Sequence, residues 1–326
     1  MGGRVGATAF REYLVATLLI VGLACVPAWS ADPARLALVI PGPPNCVKDD
    51  LTIPAMKESG IDPATVTQYC FSELSAVPRL MRHVIDAKPD VLVIFASAVA
   101  VRVAHEASPS LPIVFGDVPD PVKNGLARSL SHPGMNMTGI TNNTEELLGK
   151  RIEILKRAFP YITRLAVLGN PANEGQPAYL RVAQKAARAI NIEIQLYAVE
   201  SQPQLAMAFA AMARDGMQAA LVLPDAWFFP HRAGIAALAA EHRLPMIFGN
   251  TAYIAAGGLL MYGANLSSMA RKTWADVQRI LRGANASDLP IEQPTEFDFV
   301  VNARAAREQG LEVSPAAMLS ATRVVQ

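Results

Sequence analysis

Several polar residues stand where short apolar runs end, and each has a recognisable binding chemistry. Ser97 follows Val91–Ala96 and opens a stretch of helical period. Its hydroxyl and the N–H groups beside it, with Ala98, could hold a carboxylate, although the position suits a plain N-cap equally well. Asp225 follows Ala219–Leu223, and a carboxylate there could pair with an amine. Asn170 and Asn173 follow Leu165–Leu168, Asn250 follows the run ending at Phe248, and Asp117 follows Leu111–Gly116. Trp227, Phe228 and Phe229 offer large contact area with few rotors to freeze, which suits an apolar or aromatic ligand, while at least one of them is expected in the core. Asp120 before Pro121 reads as a helix cap. Asn142 is expected to serve a hinge, and Asn143 fits either hinge or ligand.

Catalytic arrangements are missing from the chain. No Gly-x-Ser-x-Gly occurs, nor a Gly-x-x-x-x-Gly-Lys-Ser/Thr, nor a Gly-x-Gly-x-x-Gly after a strand. His83, His105, His132, His231 and His242 make no i, i+4 pair beside a cysteine cluster, so zinc is not indicated. A two-lobed racemase would need one cysteine from each half to exchange a proton across a cleft. Cys46 and Cys70 both lie in the first half. The formal net charge is +1 and like charges form no block, which excludes an electrostatic footprint for nucleic acid. The pattern is that of a binding protein, not an enzyme, with no cofactor and no metal.

The first thirty residues read separately. Arg4 and Arg11 give a basic start, Tyr13–Cys25 is almost wholly apolar, and Ala28-Trp29-Ser30 supplies small residues at the cleavage positions, which together predict a secretory signal peptide over residues 1–30. The run falls short of the roughly 20 apolar residues of a membrane span. A lipoprotein anchored at Cys25 is the lesser alternative, because Gly22 sits where such signals usually carry Leu. Without these residues the chain keeps 27 basic and 27 acidic residues and two cysteines. Cys46 and Cys70 fall at the ends of neighbouring strands, in a compartment where disulfides persist, and are expected to be bonded.

The elements that must position these residues alternate. Strand-length runs at Arg35–Ile40, Val91–Ala96, Leu165–Leu168 and Ala219–Leu223 are separated by stretches of helical period, which predicts βαβ units around parallel sheets. Leu148, Ile152, Leu155 and Phe159 form one core-facing stripe, and Leu266, Ala270, Trp274, Val277 and Leu281 another. Leu111-Pro112-Ile113-Val114-Phe115-Gly116-Asp117 returns as Leu244-Pro245-Met246-Ile247-Phe248-Gly249-Asn250, and Arg35–Val39 returns as Arg164–Leu168. The offsets, 133 and 129 residues, are nearly equal, as two similar lobes require. The expected division assigns residues 31–141 plus about 252–290 to an N-terminal lobe, and 142–251 plus about 291–326 to a C-terminal lobe. Three connections would then form a hinge.

Across the mature chain the sequence resembles the ABC-transporter substrate-binding family with a type I periplasmic-binding fold. The resemblance rests on Leu111–Phe115, Asp120-Pro121-Val122, Gly125-Leu126, Pro133–Gly139, Gly149-Lys150-Arg151, Leu223-Pro224-Asp225, His231-Arg232, Gly257-Gly258-Leu259, Tyr262-Gly263 and Leu289–Thr295, in that order. It implies an α/β protein of two Rossmann-like lobes with parallel sheets and a three-stranded hinge. It also implies a periplasmic monomer that captures a small solute, amino-acid-like or aromatic and carboxylic, and hands it to an inner-membrane permease. Characterised relatives bind tryptophan and other amino acids, and in them polar residues matching Asp225, Asn170 and Asn173 face the ligand. The bulky Ala226-Trp227-Phe228-Phe229 departs from the small polar segment of the tryptophan binders. The competing reading is a periplasmic sensing subunit for a membrane kinase or chemoreceptor.

Overall fold

The computed structural model describes residues 34–42, 46, 52–142, 144–173 and 175–326. The expected signal peptide and Asn143 therefore lie outside the described residues.

The N-terminal half runs β1 (Leu36–Pro41), α1 (Thr52–Glu58), β2 (Val66–Phe71), α2 (Val77–Asp86), β3 (Val91–Phe95), α3 (Ala98–Ala107), β4 (Ile113–Pro119) and β5 (Met137–Asn142). The C-terminal half opens with α4 (Thr144–Ala158), β6 (Arg164–Gly169), α5 (Gln176–Ala189), β7 (Glu193–Ala198), α6 (Gln202–Arg214) and β8 (Ala219–Val222). It continues through α7 (Arg232–Glu241), β9 (Met246–Phe248), α8 (Thr251–Ala255), β10 (Leu260–Ala264) and α9 (Leu266–Leu281). The chain then closes with β11 (Phe297–Asn302), α10 (Ala303–Gln309), α11 (Pro315–Ser320) and β12 (Arg323–Val325).

Two sheets result, with strand orders β2-β1-β3-β4-β5 and β12-β11-β10-β9-β8-β6-β7. The first is parallel throughout; in the second, β11 runs antiparallel to β10. Strands buried on both faces must be apolar along their length, which is why Leu36–Val39 and Leu165–Leu168 read as unbroken runs. The repeated segments occupy equivalent places: β1 and β6 each lie between the second and third strands of their sheet, and β4 and β9 each lie fourth.

The chain crosses three times between sheets: after Asn142, after Ala264, and between Glu292 and Phe297. The second crossing corrects the sequence-based boundary near residue 252. Strand β10 hydrogen-bonds to β9, so α8 and β10 stay with the second sheet, and only the segment from α9 to Glu292 returns to the first. Trp274 of α9 is wholly buried with Leu38, Val93 and Val114 in the first core. The stripe Leu148, Ile152, Leu155 and Phe159 is fully buried, as its spacing predicts. On α9 the stripe fails at its last position. Leu281, the last residue of the helix, is 36% exposed, and Ile280 beside it packs into the core instead.

Candidate ligand-binding cleft

Ligands of open parallel sheets bind beyond the carboxyl ends of the strands. In the first sheet these ends carry Gly42, Ser72, Ala96-Ser97, Asp117–Asp120 and Asn142; in the second they carry Asn170, Asp225 and Gly249-Asn250.

On the first side, β3 and β4 are paired with Phe95 opposite Gly116, and the next residue of each lies in the left-handed region, Ala96 at φ 55° just past β3 and Asp117 at φ 57° where the register of β4 shifts against β5. Such backbone costs of order 1–3 kcal/mol per residue and gathers at functional sites. The Ser97 hydroxyl accepts from Ala100 N at 3.1 Å, so it caps α3, and Ala98 is the first helical residue. Asp120 accepts from Lys123 N at 3.1 Å and pairs with its Nζ at 2.8 Å. It caps a single turn; the helix expected from Asp120-Pro121 does not form. Asn142 Nδ2 donates to Asp117 Oδ1 at 2.7 Å and to the Asp117 carbonyl at 3.2 Å, so the last residue before the first crossing clamps the end of β4.

On the second side, the structure brings Asn170, Asn173 and Asp225 together. Asp225 Oδ2 accepts from Asn173 Nδ2 at 2.8 Å and from Asn170 Nδ2 at 3.2 Å, while Oδ1 accepts from Trp227 N at 2.6 Å. Three protein donors on one carboxylate organise the loop after β8 and leave less of it for a ligand amine. Phe228 is the core member of the aromatic trio, whereas Trp227 is half-buried and stacks on His231 at 4.1 Å. Asn250 caps α8 by accepting from Ala252 N at 2.8 Å. Tyr253 stacks on Phe248 at 4.4 Å, and burial raises its pKa.

Arg151 is a residue the spacing alone did not single out. It lies on α4, 6% exposed, and its Nε donates to the Tyr262 carbonyl at 2.8 Å. A methyl group built on Gly249 would lie 2.6 Å from its Nη2 and 2.8 Å from Cζ, so the guanidinium is seated against the glycine that ends β9. Helix side chains lean toward the helix N-terminus, which carries this one back toward the first crossing. Burial lowers its pKa to about 10, opposed first by the Asp117 carboxylate. Asp117 is raised by burial, opposed by the Asn142 hydrogen bond and by Arg151. The signal in the sequence was a basic residue inside the Leu148–Ile152–Leu155 stripe.

Cys46 and Cys70 form the expected disulfide, with Cα atoms 6.2 Å apart. Cys70 sits within β2, one residue before its end, and Gln68 Nε2 donates to the Cys46 carbonyl at 3.1 Å. A cavity of about 210 Å³ lies beside the first crossing, bounded by Pro119 and Asp120 on one side, Thr141 and Asn142 at the crossing, and Tyr179 and Gln293. Among the described residues no group of three or more His, Cys, Asp or Glu is placed to hold a metal, and no helix is long and apolar enough to cross a membrane.

Known structures share this architecture. A conserved domain protein from Vibrio cholerae O1 biovar El Tor superposes with TM-score 0.78 at 21% identity, over 90% of this chain and 99% of that one. An ABC domain in complex with L-Trp from Streptococcus pneumoniae does so with TM-score 0.76 at 19% identity, over the same shares. In sequence, a tyrosine-binding protein of Clostridioides difficile (strain R20291) is 22% identical over 212 residues, 65% of this chain and 60% of that protein. The chain thus matches less than two thirds of that relative's length. Residues 47–325 match the model of the family described as ABC transporter substrate binding protein. With two sheets joined by three crossings and residues 47–325 matching its model, the chain belongs to the ABC transporter substrate binding protein family, whose members bind solutes and are not enzymes.

Proposed function

We propose that this protein is exported to the periplasm, captures an amino-acid-like solute between its lobes as a monomer, and delivers it to an inner-membrane ABC permease. The feature that supports the reading is the set of polar residues at the strand ends of both sheets, with Asp117 and Asn142 before the first crossing and Arg151 and the Asn170–Asn173–Asp225 loop after it. Relatives described as binding tyrosine and L-Trp support the amino-acid class. Capture by one lobe and closure about the crossings require only that the ligand makes better contacts in the closed form. Ala98, Asp117, Asn170, Asn173, Asp225, Trp227 and Asn250 are the proposed lining, with Ser97 holding the start of α3 beside them.

Thermal-shift screening of the purified protein against amino acids, aromatic acids, nucleosides and sugars tests the proposal. Ligand at a hundred times its Kd stabilises by about 2.7 kcal/mol, a readily measured rise. A rise with amino acids, confirmed by calorimetry, is the expected result. No rise with any compound in the panel would overturn solute capture, and a rise with sugars or nucleosides alone would overturn the ligand class.

A further inference from the structure

We propose that Arg151 and Asp117 together form a receptor for the zwitterionic head group of an α-amino acid, Arg151 taking the carboxylate and Asp117 the ammonium. This rests on the amino-acid reading above and gives it an anchoring site.

Three observations converge. Arg151 is 6% exposed, and among the described residues its one hydrogen bond is from Nε to the Tyr262 carbonyl, so both Nη groups are left without a protein acceptor. A guanidinium presents its donors in a planar fork that matches a carboxylate. Asp117 uses Oδ1 to accept from Asn142, and Oδ2 has no hydrogen bond among the described residues. The two charges lie in each other's field, yet no guanidinium nitrogen comes within 4.0 Å of a carboxylate oxygen.

Arg151 is buried and Asp117 half-buried, and opposite charges taken partly out of water without direct contact are an expensive arrangement for a protein to keep, because neither Coulomb attraction nor hydrogen bonding fully offsets the desolvation. A group carrying both complementary charges on one carbon completes the arrangement. The neighbourhood is built around it. Gly249 leaves the room that the guanidinium fills, Asn142 orients the Asp117 carboxylate, and Asp117 holds a left-handed backbone that turns it out of the strand. Arg151 belongs to the lobe after the first crossing and Asp117 to the lobe before it. A ligand held by both therefore ties the lobes directly, and its free energy of binding is also free energy of closure.

The test combines ligand and protein truncation. The purified protein is titrated calorimetrically with the standard L-amino acids, and the tightest binder is then compared with its decarboxylated amine and its deaminated acid. Wild-type protein should bind each analogue at least about 30-fold more weakly than the parent, the scale of one charge-assisted pair. Arg151→Gln should weaken the parent by a similar factor and the decarboxylated amine less than about threefold; Asp117→Asn should spare the deaminated acid in the same way. Arg151→Lys, which keeps the charge but not the fork, should fall between. If Arg151→Gln does not fold, the wild-type comparison decides, and analogues binding as tightly as the parent overturn the proposal. Equal loss for parent and amine in Arg151→Gln also overturns it, since a merely structural arginine would act that way. Failure of every amino acid to bind wild-type protein would instead sink the functional reading itself.

Discussion

Replacing both Cys46 and Cys70 with serine removes the one covalent tie between the β1–α1 connection and β2. The cysteines are 24 residues apart. In the chain-entropy model a loop of about 25 residues contributes about 3 kcal/mol by restricting the unfolded chain. Melting entropy near 2.1 cal/mol/K per residue gives about 0.6 kcal/mol/K for a chain of this size, so the variant should melt about 5 °C lower if the protein unfolds as one unit. The disulfide lies wholly within the first lobe, whose share of the entropy is about half. Should the lobes unfold separately, the shift becomes about 10 °C and is confined to one of two transitions. Differential scanning calorimetry of oxidised wild type and the double serine variant resolves both cases. A shift under 1 °C would refute the reasoning, because the loop length leaves no room in the entropic account for so small an effect.

Asp276 is 1% exposed, and burial pushes its pKa up to about 6, above the ordinary 3.8, with Glu292 adding to the rise and Arg279 and Lys272 opposing it. The folded state then holds more protons than the unfolded state between about pH 4 and pH 6, and stability from this group declines as pH rises through that window. Asp276→Asn should therefore gain on wild type from pH 4 to pH 7, by up to about 3 kcal/mol; a melting-temperature difference that does not change with pH would contradict this. Ser97→Ala should cost about 1 kcal/mol through the lost cap while changing ligand Kd less than threefold. Denaturant melts and titration together check it, and a large Kd change would return the hydroxyl to the ligand. Gly249→Ala puts a carbon 2.6 Å from Arg151 Nη2 and should destabilise by about 1–3 kcal/mol. It should also weaken ligand binding as Arg151→Gln does, and unchanged Kd would show that the guanidinium has another place to go.

The fold was legible because its signals were local and repeated. Apolar runs buried on both faces, glycines and caps at their ends, and two echoes at nearly one offset suffice to place β1 with β6 and β4 with β9. The second crossing was less legible, since Leu260–Ala264 would read as a strand in either sheet and only its hydrogen bonds to β9 and β11 decide. The site was readable as positions, not as partnerships. Asn170, Asn173 and Asp225 were separately apparent from strand ends, but that the two amides donate to the carboxylate depends on side-chain directions that spacing does not carry. Arg151 was obscured for a related reason. A basic residue beside Ile152 looks like the solvent edge of an amphipathic helix until the return of β9 and β10 covers it.

The placement of Trp274 has a consequence for how the protein is made. The first five strands are complete by Asn142, yet the large side chain that fills their core arrives on α9, after every strand from β6 to β10. A ribosome must therefore finish most of the second half before the first can close. Until then the early chain has its sheet but lacks a wall, and it remains a loose intermediate, open to chaperones and to unfolded passage through a channel.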